Sequence, residues 1–252
     1  MKKWIVGCLV AFGVISGASA AKSNFPLDRA PNLSNDMAAL QSGARLFMNY
    51  CIGCHSASFV RYNRLTEIGL TERQIRDNLM FTTDRVGDTI RSNLNPVQGK
   101  EWLGKNPPDL TLMAFSRSTH FSRGTDYLYT LLRTYYRDDE IGHGWNNLAF
   151  PAIGMPNPLW ELQGERRPIL ETVTNARGEE SQILRGWEQV TPGTMTPAEY
   201  DRAVAELVAF MEWMADPLRR DRVRMGVWVM IFLSIFTLLA WRLNASYWKD
   251  VK

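Results

Sequence analysis

Apolar residues recur at helical spacing in three separate stretches, and each stretch predicts an amphipathic helix. The first has Ser34 or Asn35 as its expected N-cap and ends at Cys51; its apolar positions are Met37, Leu40, Leu46 and Phe47. The second spans 125–136, and its shared apolar face is Tyr127, Leu128, Leu131 and Leu132. The third is interrupted at Asp216-Pro217 and carries Val204, Leu207, Val208, Phe210, Met211 and Met214. These stretches predict a mainly α fold.

Capping signals mark the start of two helices. Thr71 is followed by Gln74, and Thr196 is followed by Glu199, so each pair has the form of a capping box. The helix after Thr71 is expected to reach about residue 80, and the helix after Thr196 is the third amphipathic stretch. A shorter helix is expected within 109–117.

Three other segments lack helical periodicity. Residues 82–108 contain many Asn, Gly and Asp residues and predict a loop with little regular structure. Residues 142–159 are rich in Gly, Pro and Asn, which excludes a helix although apolar residues are present. Residues 171–184 predict a small hairpin whose turn lies near 175–178. The helices are therefore expected to be joined by long loops and a small hairpin insertion.

The C-terminal part is uncharged from Met225 to Trp241, about the length that crosses a bilayer. Its apolar residues occur on all sides and its ends carry Trp and Tyr, which favours one transmembrane helix over a buried core helix. Four arginines, at 219, 220, 222 and 224, precede it on the expected exterior side, against the positive-inside tendency. An upstream export signal would set the orientation first, and the cytoplasmic side would still carry Arg242, Lys249 and Lys252.

The N-terminus has the organisation of an export signal. Lys2 and Lys3 precede an apolar stretch, and small residues at 18–20 precede a cleavage site before Ala21. Two alternatives are lipid attachment at Cys8, which has too few apolar residues before it, and an uncleaved N-terminal helix. The chain is then expected to comprise a signal peptide (1–20), a periplasmic domain (21–217), a membrane anchor (218–244) and a cytoplasmic tail (245–252). This arrangement predicts a single-pass protein of a bacterial inner membrane.

Charge and composition narrow the range of partners. The formal net charge of +3 falls to +1 when Lys2 and Lys3 are removed, so nucleic-acid binding has no electrostatic support. The nine tryptophans suit a protein that packs against a large flat cofactor or a bilayer interface. Composition alone does not choose between these two.

The segment Cys51-Ile52-Gly53-Cys54-His55 is the attachment pattern of a c-type haem. Two thiols at this spacing can reach two vinyl groups on one porphyrin edge while the next residue presents its imidazole to the iron. A thioredoxin-like pair is disfavoured because no βαβ pattern surrounds it, and zinc because no second Cys or His pair lies nearby. We therefore expect one covalent haem c, with His55 as proximal ligand and a carbonyl near Pro107-Pro108 as the acceptor for its other ring nitrogen.

The sixth iron ligand is left open by local chemistry. A methionine thioether would stabilise ferrous iron and raise the reduction potential. Met155 and Met195 both lie in Pro/Gly loops that could present a sulfur atom, and on this ground they are equal candidates. His120 and His143 are alternatives, although each is expected to be an exposed loop histidine.

Together, these motifs resemble the cytochrome c1 family, the haem subunits of ubiquinol–cytochrome c reductase (the cytochrome bc1 complex). Besides the haem motif, four segments keep the family's order: 59–65, Pro107-Pro108-Asp109-Leu110 with Arg117 downstream, 150–159 around Met155, and 213–226 at the membrane entry. The pentad is common to all c-type cytochromes, whereas the other segments together are more specific. Residues 100–106 and the insertion at 161–194 depart from the family pattern.

The resemblance implies a role for each candidate residue. It makes Met155 the axial ligand and Met195 a packing residue, and it places Arg117 against a haem propionate, which a guanidinium can bind through two parallel hydrogen bonds. It implies a non-catalytic redox subunit that passes electrons from a Rieske iron–sulfur protein to a cytochrome c. The expected neighbours are the membrane and a cytochrome b subunit, in a dimeric complex.

Three other functions compete with this one. A haem subunit of another membrane oxidase or dehydrogenase complex would have the same export signal, haem motif and membrane anchor. A ligand-binding haem sensor would have an open distal site, and its ferrous form would bind carbon monoxide rapidly. A haem peroxidase would need a distal acid–base residue or a second haem, and the sequence contains no second Cys-x-x-Cys-His motif.

Overall fold

The computed structural model describes residues 25–174 and 180–250. The predicted signal peptide, the hairpin turn at 175–178 and the last two residues of the predicted cytoplasmic tail lie outside these described residues. The described chain is mainly α-helical, with three antiparallel strand pairs.

Eight α-helices and one 3₁₀ helix lie within the described residues. The α-helices are α1 (Met37–Tyr50), α2 (Glu72–Asn78), α3 (Pro96–Leu103), α4 (Met113–Ser116), α5 (Gly124–Arg133), α6 (Trp160–Gln163), α7 (Pro197–Ala215) and α8 (Arg219–Tyr247). The 3₁₀ helix is Tyr62–Ile68. The strands pair as β1 (Ala57–Arg61) with β2 (Thr89–Ile90), β3 (Tyr135–Arg137) with β4 (Trp145–Asn147), and β5 (Gly164–Thr174) with β6 (Glu180–Pro192).

The N-cap residues of two helices are the ones predicted from sequence, and the N-cap residue of a third helix is not. The capping boxes of Thr71 and Thr196 are both formed, so those predictions are confirmed. The expected cap of α1 at Ser34 or Asn35 is wrong. Asp36 is the N-cap, and its carboxylate accepts hydrogen bonds from the backbone N–H groups of Ala38 and Ala39. An N-cap must directly precede the first helical residue, and only Asp36 does so here.

The segment 82–108 is not the structureless loop that its composition predicts. It contains β2 and the two-turn helix α3. Asn95 caps α3 in a box with Gln98, and Pro96 occupies the first turn. Proline is compatible with that position because the first N–H groups of a helix have no intrahelical acceptor. Asn95 and Pro96, which indicated a loop, in fact form the start of a helix.

The second amphipathic helix is shorter than predicted. Helix α5 ends at Arg133, and Tyr135 and Tyr136, expected near its end, belong to β3 instead. Their backbone pairs with Asn147 and Asn146 of β4. Tertiary pairing with a distant strand therefore ends the helical pattern.

The main core lies where α1 crosses α7. The rings of Phe47 and Phe210 have centroids 5.7 Å apart, and Phe210 stacks on Trp213 with centroids 5.6 Å apart. The helices approach most closely at Gly43. A Cβ atom added there would overlap the carbonyl group of Glu206 and lie 2.8 Å from Cβ of Phe210. This contact requires glycine because no side chain fits between the two helices.

A second, smaller apolar cluster lies beside the main core. Its buried members are Leu131, Tyr135, Trp145 and Ile153, and partly buried Tyr127 and Met155 pack against it. Helix α5 contributes to both clusters, since Leu128, Tyr129 and Leu132 belong to the main core. One face of the predicted helix is therefore divided between two packing surfaces.

The strands β5 and β6 form a hairpin longer than the predicted 171–184. Gly164 pairs with Pro192 at its base, and the pairing continues to Thr174 with Glu180. At the base, the guanidinium carbon of Arg166 lies 3.7 Å from the ring centroid of Trp187. Burial lowers the pKa of Arg166 to about 10. This stacked arginine donates hydrogen bonds to the backbone carbonyls of Arg133 and Tyr135 and so joins the hairpin to the end of α5 and to β3.

Helix α8 projects beyond the packed domain. Residues Asp221–Tyr247 are long and apolar enough to cross a membrane, and none of this span is buried against the rest of the described chain. At its start, Arg219 forms an ion pair with Glu212, and Arg222 forms a two-pronged ion pair with Asp216. Acidic groups of the preceding helix end therefore compensate part of the arginine cluster.

The crossing of α1 and α7 generates a first prediction. Replacing Gly43 with alanine should destabilise the fold by roughly 1–3 kcal/mol, because the added methyl group forces the helices apart. The free energy of unfolding from denaturant titration measures the effect. Gly87→Ala is the matched control, since a Cβ there meets nothing within 4 Å. Equal stability of the two variants would contradict the close crossing.

Candidate haem site

The turn after α1 brings both cysteines and the histidine of the motif together. Cys51 is the C-cap residue of α1, and its N–H donates to the carbonyl of Phe47 at 2.9 Å. The N–H groups of Cys54 and His55 both donate back to the carbonyl of Cys51, at 3.1 and 2.8 Å. Both cysteines carry free thiols; Cys51 is half-buried and Cys54 is exposed. One helix end and one tight turn therefore place two thiols and an imidazole side by side.

A hydrogen bond from the chain's middle fixes the His55 ring. Its Nδ1 lies 2.7 Å from the backbone oxygen of Pro108. Because a carbonyl only accepts, Nδ1 carries the proton and Nε2 is left as a free lone-pair donor. The prediction of a carbonyl near Pro107-Pro108 is confirmed. Burial lowers the pKa of His55, against the opposing effects of the Pro108 carbonyl and the Asp109 carboxylate, so the imidazole stays neutral at pH 7.

The Asp109 carboxylate fastens the segment that carries Pro108. It accepts hydrogen bonds from the N–H groups of Ser58 and Thr111, both at 2.8 Å. Alongside, the N–H of Leu110 donates to the carbonyl of Ser56 at 2.8 Å. Burial alone would raise the pKa of Asp109, but the hydrogen bonds from Thr111 and Ser58 outweigh it and lower that pKa. An ionised Asp109 therefore holds the carbonyl that orients His55.

The two alternative uses of the cysteines find no support in the described chain. Burial raises the pKa of the Cys51 thiol to about 12, with a further contribution from Cys54. Redox-active cysteines instead have a lowered pKa, because the thiolate is the reactive species. Within residues 25–174 and 180–250, no group of three or more His, Cys, Asp or Glu side chains could hold a metal ion.

The structure places the two candidate methionines in different surroundings. Met155 packs against the second cluster, formed by residues of α5, β3, β4 and its own loop. Met195 packs against the main core, and its N–H donates to the carbonyl of Leu162 at 3.2 Å. Both methionines are therefore partly buried, each against a different apolar cluster.

The two loop histidines also differ from each other. His120 is exposed, and its ring meets the edge of Phe121 with centroids 6.1 Å apart. His143 is exposed too, but its Nε2 lies 3.0 Å from the carbonyl oxygen of Ile153, two residues before Met155. This contact was missed from sequence, because nothing in the local pattern relates position 143 to position 153.

Arg117 lies at the end of α4, next to Tyr127. It is the exposed C-cap residue of α4, and its guanidinium carbon lies 5.4 Å from the ring centroid of Tyr127. Tyr127 packs against both apolar clusters. Burial raises the pKa of Tyr127, whereas the Arg117 charge acts in the opposite direction. The structure thus puts one cation next to a tyrosine that packs against the same cluster as Met155.

The residues present fit a covalently attached haem. Two unpaired thiols lie on one turn, and an oriented neutral imidazole follows them directly. Met155 offers a thioether in an apolar setting, and Arg117 lies over Tyr127, which packs against the same cluster. These are the donor types that c-type haem requires: thiols for attachment and an imidazole with a soft sulfur ligand for the iron.

Comparison with known proteins gives a consistent family. The Cytochrome C1 family matches residues 29–167 and 182–251. The cytochrome c1 of Allochromatium vinosum is 39% identical over 217 residues, covering 86% of each chain. The ammonia monooxygenase gamma subunit of Nitrosomonas europaea is 38% identical over 234 residues, covering 93% of this chain and 92% of the relative. The cytochrome c1 of Rhodobacter capsulatus is 24% identical over 285 residues, covering 100% of this chain and 99% of the relative.

Proposed function

Because the chain belongs to the cytochrome c1 family, we infer that it carries one covalently bound haem c and transfers electrons within a cytochrome bc1 complex. The observation that carries this function is the turn at Cys51–His55, where two free thiols stand beside an imidazole with a free Nε2. When bound, the haem iron supplies one-electron redox chemistry. The chain's own residues attach it, ligate it and set its surroundings.

In this proposal Cys51 and Cys54 form the two thioether bonds, and His55 Nε2 is the proximal iron ligand. The Pro108 carbonyl keeps the ring in the tautomer that ligation needs and prevents its rotation. The lowered pKa of His55 keeps protons from competing with iron for the imidazole near pH 7. Attachment by covalent bonds makes retention of the cofactor independent of its free concentration.

We assign Met155 as the second axial ligand. Its setting in the second apolar cluster supports this role, because a thioether kept from water favours ferrous iron and a high reduction potential. Met195 is left to packing against the main core, because the family resemblance places the ligand in the loop at 150–159. With His55 and Met155 both holding the iron, the haem would supply electron transfer rather than bond-making catalysis.

We assign Arg117 to a haem propionate. Its place beside Tyr127, which packs against the cluster that includes Met155, supports this role. A propionate at the edge of an apolar pocket needs a charged partner, and a guanidinium can bind it with two parallel hydrogen bonds. The stack on Tyr127 would hold the guanidinium in one orientation.

The electron path follows from the family. A Rieske iron–sulfur protein donates the electron and a cytochrome c accepts it, while cytochrome b lies beside the anchor helix α8. We propose that the haem domain lies in the periplasm and that the complex is dimeric. The anchor keeps the haem near the membrane subunits, which removes a diffusional search from one step of the relay.

A haem subunit of a different membrane complex is the second candidate. One relative that matches nearly the whole chain is named as an ammonia monooxygenase gamma subunit. The haem attachment site would be the same in either complex. Only the neighbouring subunits distinguish them.

Isolation of the detergent-solubilised complex through a tag on this chain tests the function. Cytochrome b and a Rieske protein should co-purify, and added quinol should reduce the haem of this chain when the Rieske protein is present. Removal of the Rieske protein should abolish that reduction. Co-purification with monooxygenase subunits and without cytochrome b would refute membership of a bc1 complex.

Substitution of the two methionines tests the axial ligand. Met155→Leu should abolish the weak far-red absorption band of a Met-ligated ferric haem. It should also lower the reduction potential by a sizeable part of the roughly 0.8 V range that axial ligands span. Met195→Leu is the matched control and should leave both nearly unchanged. The reverse outcome would make Met195 the ligand.

Substitution of Arg117 tests the propionate contact. Arg117→Ala removes a positive charge near the haem, so the ferric form gains relative stability and the potential should fall. A shift of tens of millivolts is expected, because about 1 kcal/mol of charge interaction corresponds to roughly 40 mV for one electron. Arg117→Lys should shift it less. Arg73→Ala, which removes an exposed arginine of α2, is the control, and an equal effect there would leave Arg117 as a surface residue.

A further inference from the structure

The segment between β4 and α6 presents Met155 without any regular backbone pairing of its own. Within it, Ala152 has a φ of 55°, a left-handed conformation that residues other than glycine rarely adopt. Pro151 has no N–H to donate, and Ala152 and Gly154 are exposed. This loop contains a strained residue and lacks regular backbone hydrogen bonds. Such a conformation is stable only when contacts with the surrounding structure hold it in place.

Asn147 provides the first set of such contacts. Its side-chain oxygen accepts hydrogen bonds from the N–H groups of Ala149 and Phe150, at 2.9 and 3.0 Å. The same side chain donates to the carbonyl of Leu131 at 2.7 Å and accepts from the hydroxyl of Thr134 at 3.0 Å. Asn147 is almost fully buried, and its bonds to Leu131, Thr134 and Ala149 are buried as well. It connects the start of the loop to helix α5.

Asn146 holds the strained residue. Its side-chain oxygen accepts from the N–H of Ala152 at 2.9 Å, and its amide nitrogen donates to the carboxylate of Asp138 at 2.7 Å. The bond to Asp138 fixes which end of the amide faces Ala152. Asn146 therefore favours the backbone conformation that Ala152 would otherwise avoid.

His143 contacts the loop at Ile153, two residues before Met155. Its Nε2 donates to the carbonyl of Ile153 at 3.0 Å. The side chain of Ile153 is buried in the second cluster, next to Trp145. The loop is thus held at Ala149, Phe150, Ala152 and Ile153, and the next two residues are Gly154 and Met155.

We propose that His143, Asn146 and Asn147 form a hydrogen-bonded clamp that positions the Met155 loop. This proposal rests on the assignment of Met155 as an iron ligand. An iron–thioether bond is weak, so it persists only if the loop loses little conformational freedom when the sulfur binds. A loop already held at four backbone atoms meets that requirement. The three residues act on the iron through Met155 and are positioning residues.

The rate at which cyanide binds to the ferric haem of the purified holoprotein reports how firmly the clamp holds Met155. Cyanide binds the iron only when the methionine sulfur has dissociated from it. His143→Ala should raise the cyanide binding rate about fivefold, the factor expected for the loss of one net hydrogen bond. Asn146→Ala should raise it in the same direction. The far-red band of the ferric haem should weaken in both variants while the haem stays attached.

Two comparisons separate positioning from a general loss of structure. His143→Gln keeps a side-chain donor and should restore a rate closer to that of the unaltered protein. His120→Ala removes the other described histidine outside the haem motif and should leave the rate unchanged. Thermal unfolding of each variant should show a similar midpoint, since both histidines are exposed.

Several results would overturn the clamp. Rates within twofold of the unaltered protein for both His143→Ala and Asn146→Ala would do so, as would an equal rise in His120→Ala. If Met155→Leu retains the far-red band, Met155 is not the ligand, and the assignment and the clamp fail together. If Met155→Leu loses the band but the clamp variants have no effect, the clamp alone fails.

Discussion

The hydrogen bond between the His55 ring and the Pro108 carbonyl is the contact on which the site depends. It joins two segments 53 residues apart and leaves one ring nitrogen free for iron. Asp109 holds Pro108 in place through the backbone of Ser58, so the ring rests on a fastened segment rather than a free loop. A ligand that is already oriented needs little rearrangement when the iron changes oxidation state, which is the requirement of an electron relay.

The two proposed iron ligands, His55 and Met155, are supported by different kinds of structure. His55 follows helix α1, which packs closely against α7 at Gly43, so its position derives from a rigid core. Met155 lies in a loop between β4 and α6, held by the side chains of His143 and Asn146 and by one buried isoleucine. Dense packing together with the Pro108 hydrogen bond holds His55, whereas the Met155 loop is held mainly by side-chain hydrogen bonds. The position of the Met155 loop is therefore more sensitive to single substitutions than the position of His55.

The junction with the membrane pairs part of the positive charge that precedes the anchor. Four arginines precede the anchor on the side proposed to be exterior, where positive charge is usually sparse. The structure pairs Arg219 with Glu212 and Arg222 with Asp216, so these two arginines are compensated by carboxylates at the end of α7. The compensated pair also connects the haem domain to the first turn of the anchor. Exposed ion pairs contribute little to stability, and their effect here is mainly on local net charge.

Local sequence was sufficient for features that depend on residues a few positions apart. The haem motif at Cys51–His55 and the capping boxes at Thr71 and Thr196 are of this kind, because one helical turn or one tight turn brings their members together. Helix α3 was missed because Asn and Pro have the same local signature in a loop and at a helix start. Tertiary structure alone decided that Met155, and not Met195, borders the second cluster, and that His143 contacts its loop. Local chemistry leaves the two methionines equal, and the family resemblance at 150–159 favours Met155. The cluster against which each methionine packs depends on segments that are distant in sequence, so only the tertiary structure decides it.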